Sequence, residues 1–154
     1  MRWLMVDKLV ECDPGERAIG VKCFSFSDPI FMDHFPGLPI VPGVVQIEMI
    51  AQTGGKCIRL KNRNVLPALG TVKSAKFIKS IEPGDQCFIH VEVTKLRESY
   101  AMATGQILVD GKKVSEAEIL FAMIPKTKLD PNHKDLIVAR WEEKLDASKE
   151  KRDE

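Results

Sequence analysis

The rhythm of apolar and polar residues changes twice along the chain. From Arg17 to Phe26, "RAIGVKCFSF" alternates, with Ile19, Val21 and Cys23 on one side. This predicts a strand after the turn "DPGE" at Asp13 to Glu16. Residues 28–43 carry four prolines and two glycines and read as loop. Apolar residues then crowd the stretch from about Pro42 to about Leu60, which predicts one long helix ended by "KNRNVLP". Pro42 suits the first helical position, where its missing N–H would have no partner. From Leu69 onward the period becomes two. Strands are expected near 69–79, 86–97, 99–109 and 112–124. Asp110-Gly111 marks a hairpin, and "EPGD" at Glu82 to Asp85 marks a turn. In the last strand Ala117, Ile119, Phe121 and Met123 share one face, while Glu116 and Glu118 point away.

A helix this apolar must be covered on nearly all sides. A mostly antiparallel sheet wrapped around it would do so, and the fold class expected is α+β. The pattern alone leaves the topology open. After Pro125 the character changes. "DPNHKDLIVARWEEKLDASKEKRDE" offers helix starters at Asp130 and Asn132, and Ile137, Trp141 and Leu145 fall at i, i+4, i+8. One narrow apolar stripe suggests a helix docked on the body or on a neighbouring subunit, with the charged residues beyond Ala147 fraying. The expected division is a main domain over 1–125 and a helical tail over 126–154.

Composition narrows the class. The chain has 154 residues, 44% hydrophobic and 29% charged, and a formal net charge of +1. That fits one globular domain and argues against bulk nucleic-acid binding. No apolar run approaches the ~20 residues that span a bilayer. Asp7, Lys8 and Glu11 interrupt the N-terminal apolar residues, so no clean signal-peptide core is present. Cys12, Cys23, Cys57 and Cys87 form no CxxC pair, which speaks against zinc and thioredoxin-like chemistry. They read as small, buried free thiols, and the compartment expected is the cytoplasm.

One segment resists a purely structural account: "HFPGLPIVPGVVQIEMIAQ", His34 to Gln52. The first four amides of a helix have no partner inside it and lie at the positive end of its dipole. Gly43, in the first turn, lets a ligand oxygen approach that backbone. Glu48 follows among Val44, Val45, Ile47, Met49, Ile50 and Ala51, with Gln52 one turn further on the same face. A carboxyl group in apolar surroundings tends to keep its proton and can donate it. His34, in the loop ahead, is the side chain best suited to take a proton near neutrality. Pro36, Pro39 and Pro42 stiffen the backbone between them.

Taken together, His34-Phe35-Pro36-Gly37, Pro39, Pro42-Gly43, Glu48 and Ala51-Gln52 resemble the signature "HFPGxPxxPGxxxxExxAQ" of the FabZ-type (3R)-hydroxyacyl-[acyl-carrier-protein] dehydratases. A weaker similarity covers about residues 5 to 124. The usual opening run survives only as "WLMVD" at Trp3 to Asp7, and the later aromatic stretch reads "LGTVKSAKF" at Leu69 to Phe77. The resemblance implies the hotdog fold, an antiparallel sheet wrapped around a long central helix. It implies His34 as catalytic base, Glu48 as the partner acid facing it across a homodimer interface, and Gly43 as the amide donor to the thioester carbonyl. Phe35, Pro42 and Gln52 would support the site. Relatives that also isomerise the double bond carry Asp at the Glu48 position, which favours simple dehydration. No metal or redox cofactor is implied. The substrate would arrive on the phosphopantetheine of an acidic acyl carrier protein, in fatty acid or related biosynthesis. Lys73, Lys76 and Lys79, with Lys56, Arg59, Lys61 and Arg63, are candidates for a basic docking rim. A hotdog thioesterase, an enoyl hydratase on coenzyme A thioesters and a non-catalytic acyl-binding subunit are the rival readings.

Overall fold

The computed structural model describes residues 3–150. Two strands come first, β1 (Lys8–Asp13) and β2 (Arg17–Cys23), then a single helical turn, α1 (Ile30–Asp33), and the long helix α2 (Gly43–Lys61). Strands β3 (Val65–Phe77), β4 (Gln86–Leu96), β5 (Tyr100–Val109) and β6 (Lys112–Pro125) follow, then a short 3-10 turn and the helix α3 (Leu136–Glu150). All six strands join one antiparallel sheet in the order β1-β2-β4-β5-β6-β3. The sheet curls around α2, and this is the hotdog arrangement.

Alternation along the strands builds the wrap. Ile89 and Val91 of β4, Ala101, Ala103 and Ile107 of β5, and Ala117, Ile119 and Phe121 of β6 are buried. They close on Val45, Met49, Ile50, Cys57 and Ile58 of α2. Each large apolar side chain so buried contributes roughly 1.5–3 kcal/mol. Close approach of helix to sheet needs a missing side chain. A Cβ at Gly105 of β5 would run into the side chain of Ile50. The hairpin between β5 and β6 turns at Asp110 and Gly111, both at positive φ (51° and 74°), as the Asp-Gly pair implies.

Three local departures have physical causes. Strand β1 was not legible because only Leu9 is well buried in it and a bulge interrupts its register between Leu9 and Glu11. The loop after β2 contains α1, a turn that drops Phe31 into the core against Phe24, ring centroids 6.1 Å apart. Strand β3 starts at Val65, four residues before the predicted 69, and includes Pro67. A proline is tolerated there because β3 is an edge strand with β6 as its one neighbour.

The tail helix starts later than its sequence suggests. Asp130 accepts from the Asn132 amide in a preceding turn, and it is Asp135 that caps α3, its Oδ1 accepting from Ile137 N and Val138 N at 3.1 Å each. Ile137 and Val138 are buried, Trp141 is half-buried, and α3 packs on α2 and β1. The helix continues through the charged residues to Glu150; positions 151–154, part of the stretch expected to fray, lie outside the described residues. Of the cysteines, Cys57 and Cys87 are buried, Cys12 is half-buried, and Cys23 is exposed. Burial pushes the Cys87 thiol up to about 12.

Candidate active site

The loop from His34 to Val41 is short and heavily bonded to itself. Phe35 and Leu38 exchange amide and carbonyl bonds at 2.7 and 2.8 Å, Gly37 takes φ 77°, and Ile40 N donates to the His34 carbonyl at 3.0 Å. The peptide between His34 and Phe35 is cis. The His34 ring is fixed in turn: Nδ1 lies 3.0 Å from the Ile40 carbonyl oxygen. A carbonyl can only accept, so Nδ1 carries the proton and neutral His34 keeps a free lone pair on Nε2. The fixed histidine is therefore set up as a base through Nε2.

Pro42 stands one residue earlier than expected. It is the cap of α2, in extended conformation with ψ 142°, and its carbonyl accepts from Val45 N and Gln46 N. Gly43 is thus the first helical residue, and its amide belongs to the set without an intrahelical partner. The ring of Phe77, at the end of β3, lies over this glycine. A Cβ on residue 43 would come within 2.8 Å of the ring tip. Sequence reasoning missed Phe77; the available signal was its place closing the period-two run.

Glu48 is half-buried, one turn before Gln52 on the same helical face. Gln52 Nε2 donates to Glu48 Oε1 at 2.9 Å and to the Trp3 carbonyl at 3.1 Å, while its Oε1 accepts from Met5 N at 2.8 Å. The N-terminal segment thereby holds the amide that holds the carboxyl group. Glu48 also lines a cavity of about 250 Å³ that continues along α2 past Gln52 to Lys56 and Arg59. His34 is not among the residues lining that cavity, and the hydrogen-bond partners of His34 and Glu48 are Ile40 and Gln52, not each other.

The basic rim needs a correction. Lys73, Lys76 and Lys79 are exposed, and Lys73 lies 3.9 Å from Glu118. Lys56 and Arg59 are buried, only 8% and 7% exposed, so neither can serve a docking rim. Lys56 Nζ pairs with Asp135 Oδ2 at 3.1 Å, and Arg59 Nη1 lies 3.9 Å from the same oxygen. Burial pushes the Asp135 carboxyl up, but Lys56, the Val138 amide and Arg59 more than offset this, and its pKa settles below the ordinary value. The tail supplies the counter-charge, a link invisible without the fold because the partners are far apart in sequence. Among the described residues, no group of three or more His, Cys, Asp or Glu could hold a metal ion.

A family model described as FabA-like domain matches residues 1–118. The chain belongs to the FabA-like family. Its relatives include the 3-hydroxyacyl-[acyl-carrier-protein] dehydratase FabZ of Clostridium acetobutylicum, 42% identical over 123 residues, 79% of this chain and 87% of that protein. The enzyme of the same name from Bartonella quintana is 42% identical over 125 residues, covering 79% and 81%. Solved structures share the fold at lower identity. The smu.793 protein of Streptococcus mutans bound to acetyl CoA superposes with TM-score 0.62 at 14% identity, covering 77% of this chain and 89% of that one. The dehydratase heterocomplex ApeI:P of Xenorhabdus doucetiae gives 0.57 at 18%, covering 74% and 96%.

Proposed function

We propose that this FabA-like chain is a hydro-lyase that dehydrates (3R)-hydroxyacyl-[acyl-carrier-protein] to the trans-2-enoyl thioester in fatty acid biosynthesis, with the cytoplasm as its compartment. The observation that carries the reading is 42% identity, over most of both chains, to relatives named for this activity. The chemistry asks for three separate jobs. A C–H bond beside the thioester carbonyl must lose its proton, and Nε2 of His34 takes it. Charge then builds on the carbonyl oxygen, and the Gly43 amide at the positive end of α2 stabilises it. Such a donor typically contributes ~2.7–4 kcal/mol. Hydroxide is a poor leaving group, so Glu48 in its protonated form, its Oε1 accepting from Gln52, supplies a proton as the C–O bond breaks.

His34 and Glu48 each bond to other groups of their own chain, and, following the family resemblance, the reading includes a homodimer in which each site takes His34 from one protomer and Glu48 from its partner. An unpaired edge on β3 supports this, flanked by exposed Leu69, Val72, Phe77 and Ile78 and by Val44 at the start of α2. A free apolar edge invites a second strand. Exposed Lys73, Lys76 and Lys79 would receive the acidic carrier near the same edge.

The test follows enoyl absorbance on 3-hydroxyacyl-carrier substrate. Release of free carrier thiol without enoyl product would instead mark a thioesterase, and tight acyl binding without turnover a scaffold. Mixing subunits tests the shared site. His34→Ala and Glu48→Gln chains, each inactive alone, should regain activity when mixed, because one site of the mixed dimer is then intact. No recovery in a verified mixed dimer places both groups in the same chain.

A further inference from the structure

The cavity that begins at Glu48 ends unlike a pocket for a hydrocarbon chain. Glu48, Gln52, Lys56 and Arg59 form a single stripe on α2, spaced four, four and three residues apart. At a rise of ~1.5 Å per residue, Lys56 lies about 12 Å and Arg59 about 16 Å beyond Glu48 along the helix. Their side chains lean back toward the helix start, which brings the charged ends nearer. Leu66 to Leu69 of β3 and Phe121 of β6 supply apolar walls between the two ends.

Charge at the far end is unbalanced. Lys56, Arg59 and Asp135 sum to one excess positive charge, and Asp135 is already committed. Its Oδ1 caps α3, and its Oδ2 accepts from Lys56. Arg59 is 7% exposed; its Nη1 lies 3.9 Å from Asp135 Oδ2, too far for a hydrogen bond, and among the described residues neither Nε nor Nη1 has a hydrogen-bond partner. The other acidic side chain lining the cavity, Glu48, is bound at its opposite end by Gln52. Nearby Arg63 is paired with Glu142 at 2.7 Å. An alkyl chain filling this cavity would leave buried guanidinium donors with nothing to meet, which is costly. A carboxylate would meet them in the paired geometry that guanidinium favours.

We infer that the acyl group this site prefers ends in a carboxylate at its far end, with Arg59 as its receptor and Lys56 beside it. The inference deepens the dehydratase reading and rests on it for the position of the thioester. Its test is separable. Saturated acyl-pantetheine thioesters lack the 3-hydroxyl and cannot be dehydrated, so binding is read without turnover. Two are titrated into the purified full chain by calorimetry, matched in medium chain length, one ending in methyl and one in carboxylate. The carboxylate-ended thioester should bind at least ~10-fold more tightly. In Arg59→Met that ratio should fall to about one, and in Arg59→Lys part of it should survive. Equal or weaker binding of the carboxylate-ended thioester by the unaltered chain overturns the inference, and so does a preference that persists in folded Arg59→Met. Tight, selective binding with no enoyl product from the 3-hydroxy forms would refute the dehydratase reading and leave the carboxylate receptor standing.

Discussion

The two halves of α2 are built on opposite principles. At its start the helix is left open: a proline cap, a glycine whose amide has no partner within the helix, and a carboxyl group reached by a side-chain amide. Toward its end it is closed: Lys56 and Arg59 are buried under a separate helix whose cap residue is also their counter-ion. Polar groups at the open end are held by uncharged partners and leave their other atoms available. Those at the closed end are held by charge and hold the tail in place. The lesson is that a polar residue inside an apolar helix has two very different uses, and its hydrogen-bond partners decide which.

Substitutions can break this contrast. The largest effect is expected at the open end, where His34→Ala and Glu48→Gln should each lower kcat by at least ~10²-fold while melting temperature changes little. A rate near that of the unaltered chain in either would remove that residue from the chemistry. At the closed end the signs reverse, with a large stability loss expected for Asp135→Asn. Asparagine still caps a helix, so the change isolates charge. Two buried cations would lose their partner, at a cost on the order of 3–5 kcal/mol in chemical denaturation at pH 7. Because the folded carboxyl titrates below its ordinary value of 3.8, this stabilisation is present above that value and lost as pH falls through the lower folded one. The denaturation free energies of the two chains should therefore converge in acid. A gap that stays constant there would show that charge is not the cause.

How much of this contrast could be read in advance differs between the ends. His34, Gly43, Glu48 and Gln52 lie within one stretch of nineteen residues, and local rules for helix starts and buried carboxyl groups apply to them directly. The period-two strands were legible for a similar reason, since alternation is a local signal. Lys56 and Arg59 looked like surface cations because their partner lies 79 residues from Lys56 and in a different element. Phe77 escaped notice because its job is to cover a glycine across space. Strand β1 escaped because its edge position leaves it little to bury.

Two smaller effects sharpen the picture at the open end. Gly43→Ala would press a methyl group against the Phe77 ring, and the helix start must shift or the ring must yield. A loss of about tenfold in kcat/KM is expected, equal to ~1.4 kcal/mol, with partial recovery in the double variant that also carries Phe77→Ala. If Gly43→Ala is as active as the unaltered chain, the close approach of ring and glycine plays no part in catalysis. Gln52→Ala should cost less in rate, under tenfold, and should show itself as a lowered kcat with KM little changed. It should also cost ~1–3 kcal/mol of stability if the Met5 amide is left without an acceptor. Gln52→Glu would separate the two roles, because it can still accept from Met5 but repels Glu48.

The bonds from Gln52 to Trp3 and Met5 have a practical side. The segment from Trp3 to Met5 acts as a brace for a half-buried side chain of α2. Affinity tags or trimming next to that segment would therefore work like a distant lever on Glu48. Preparations differing only in their first few residues should be compared for turnover before any difference is blamed on the substrate.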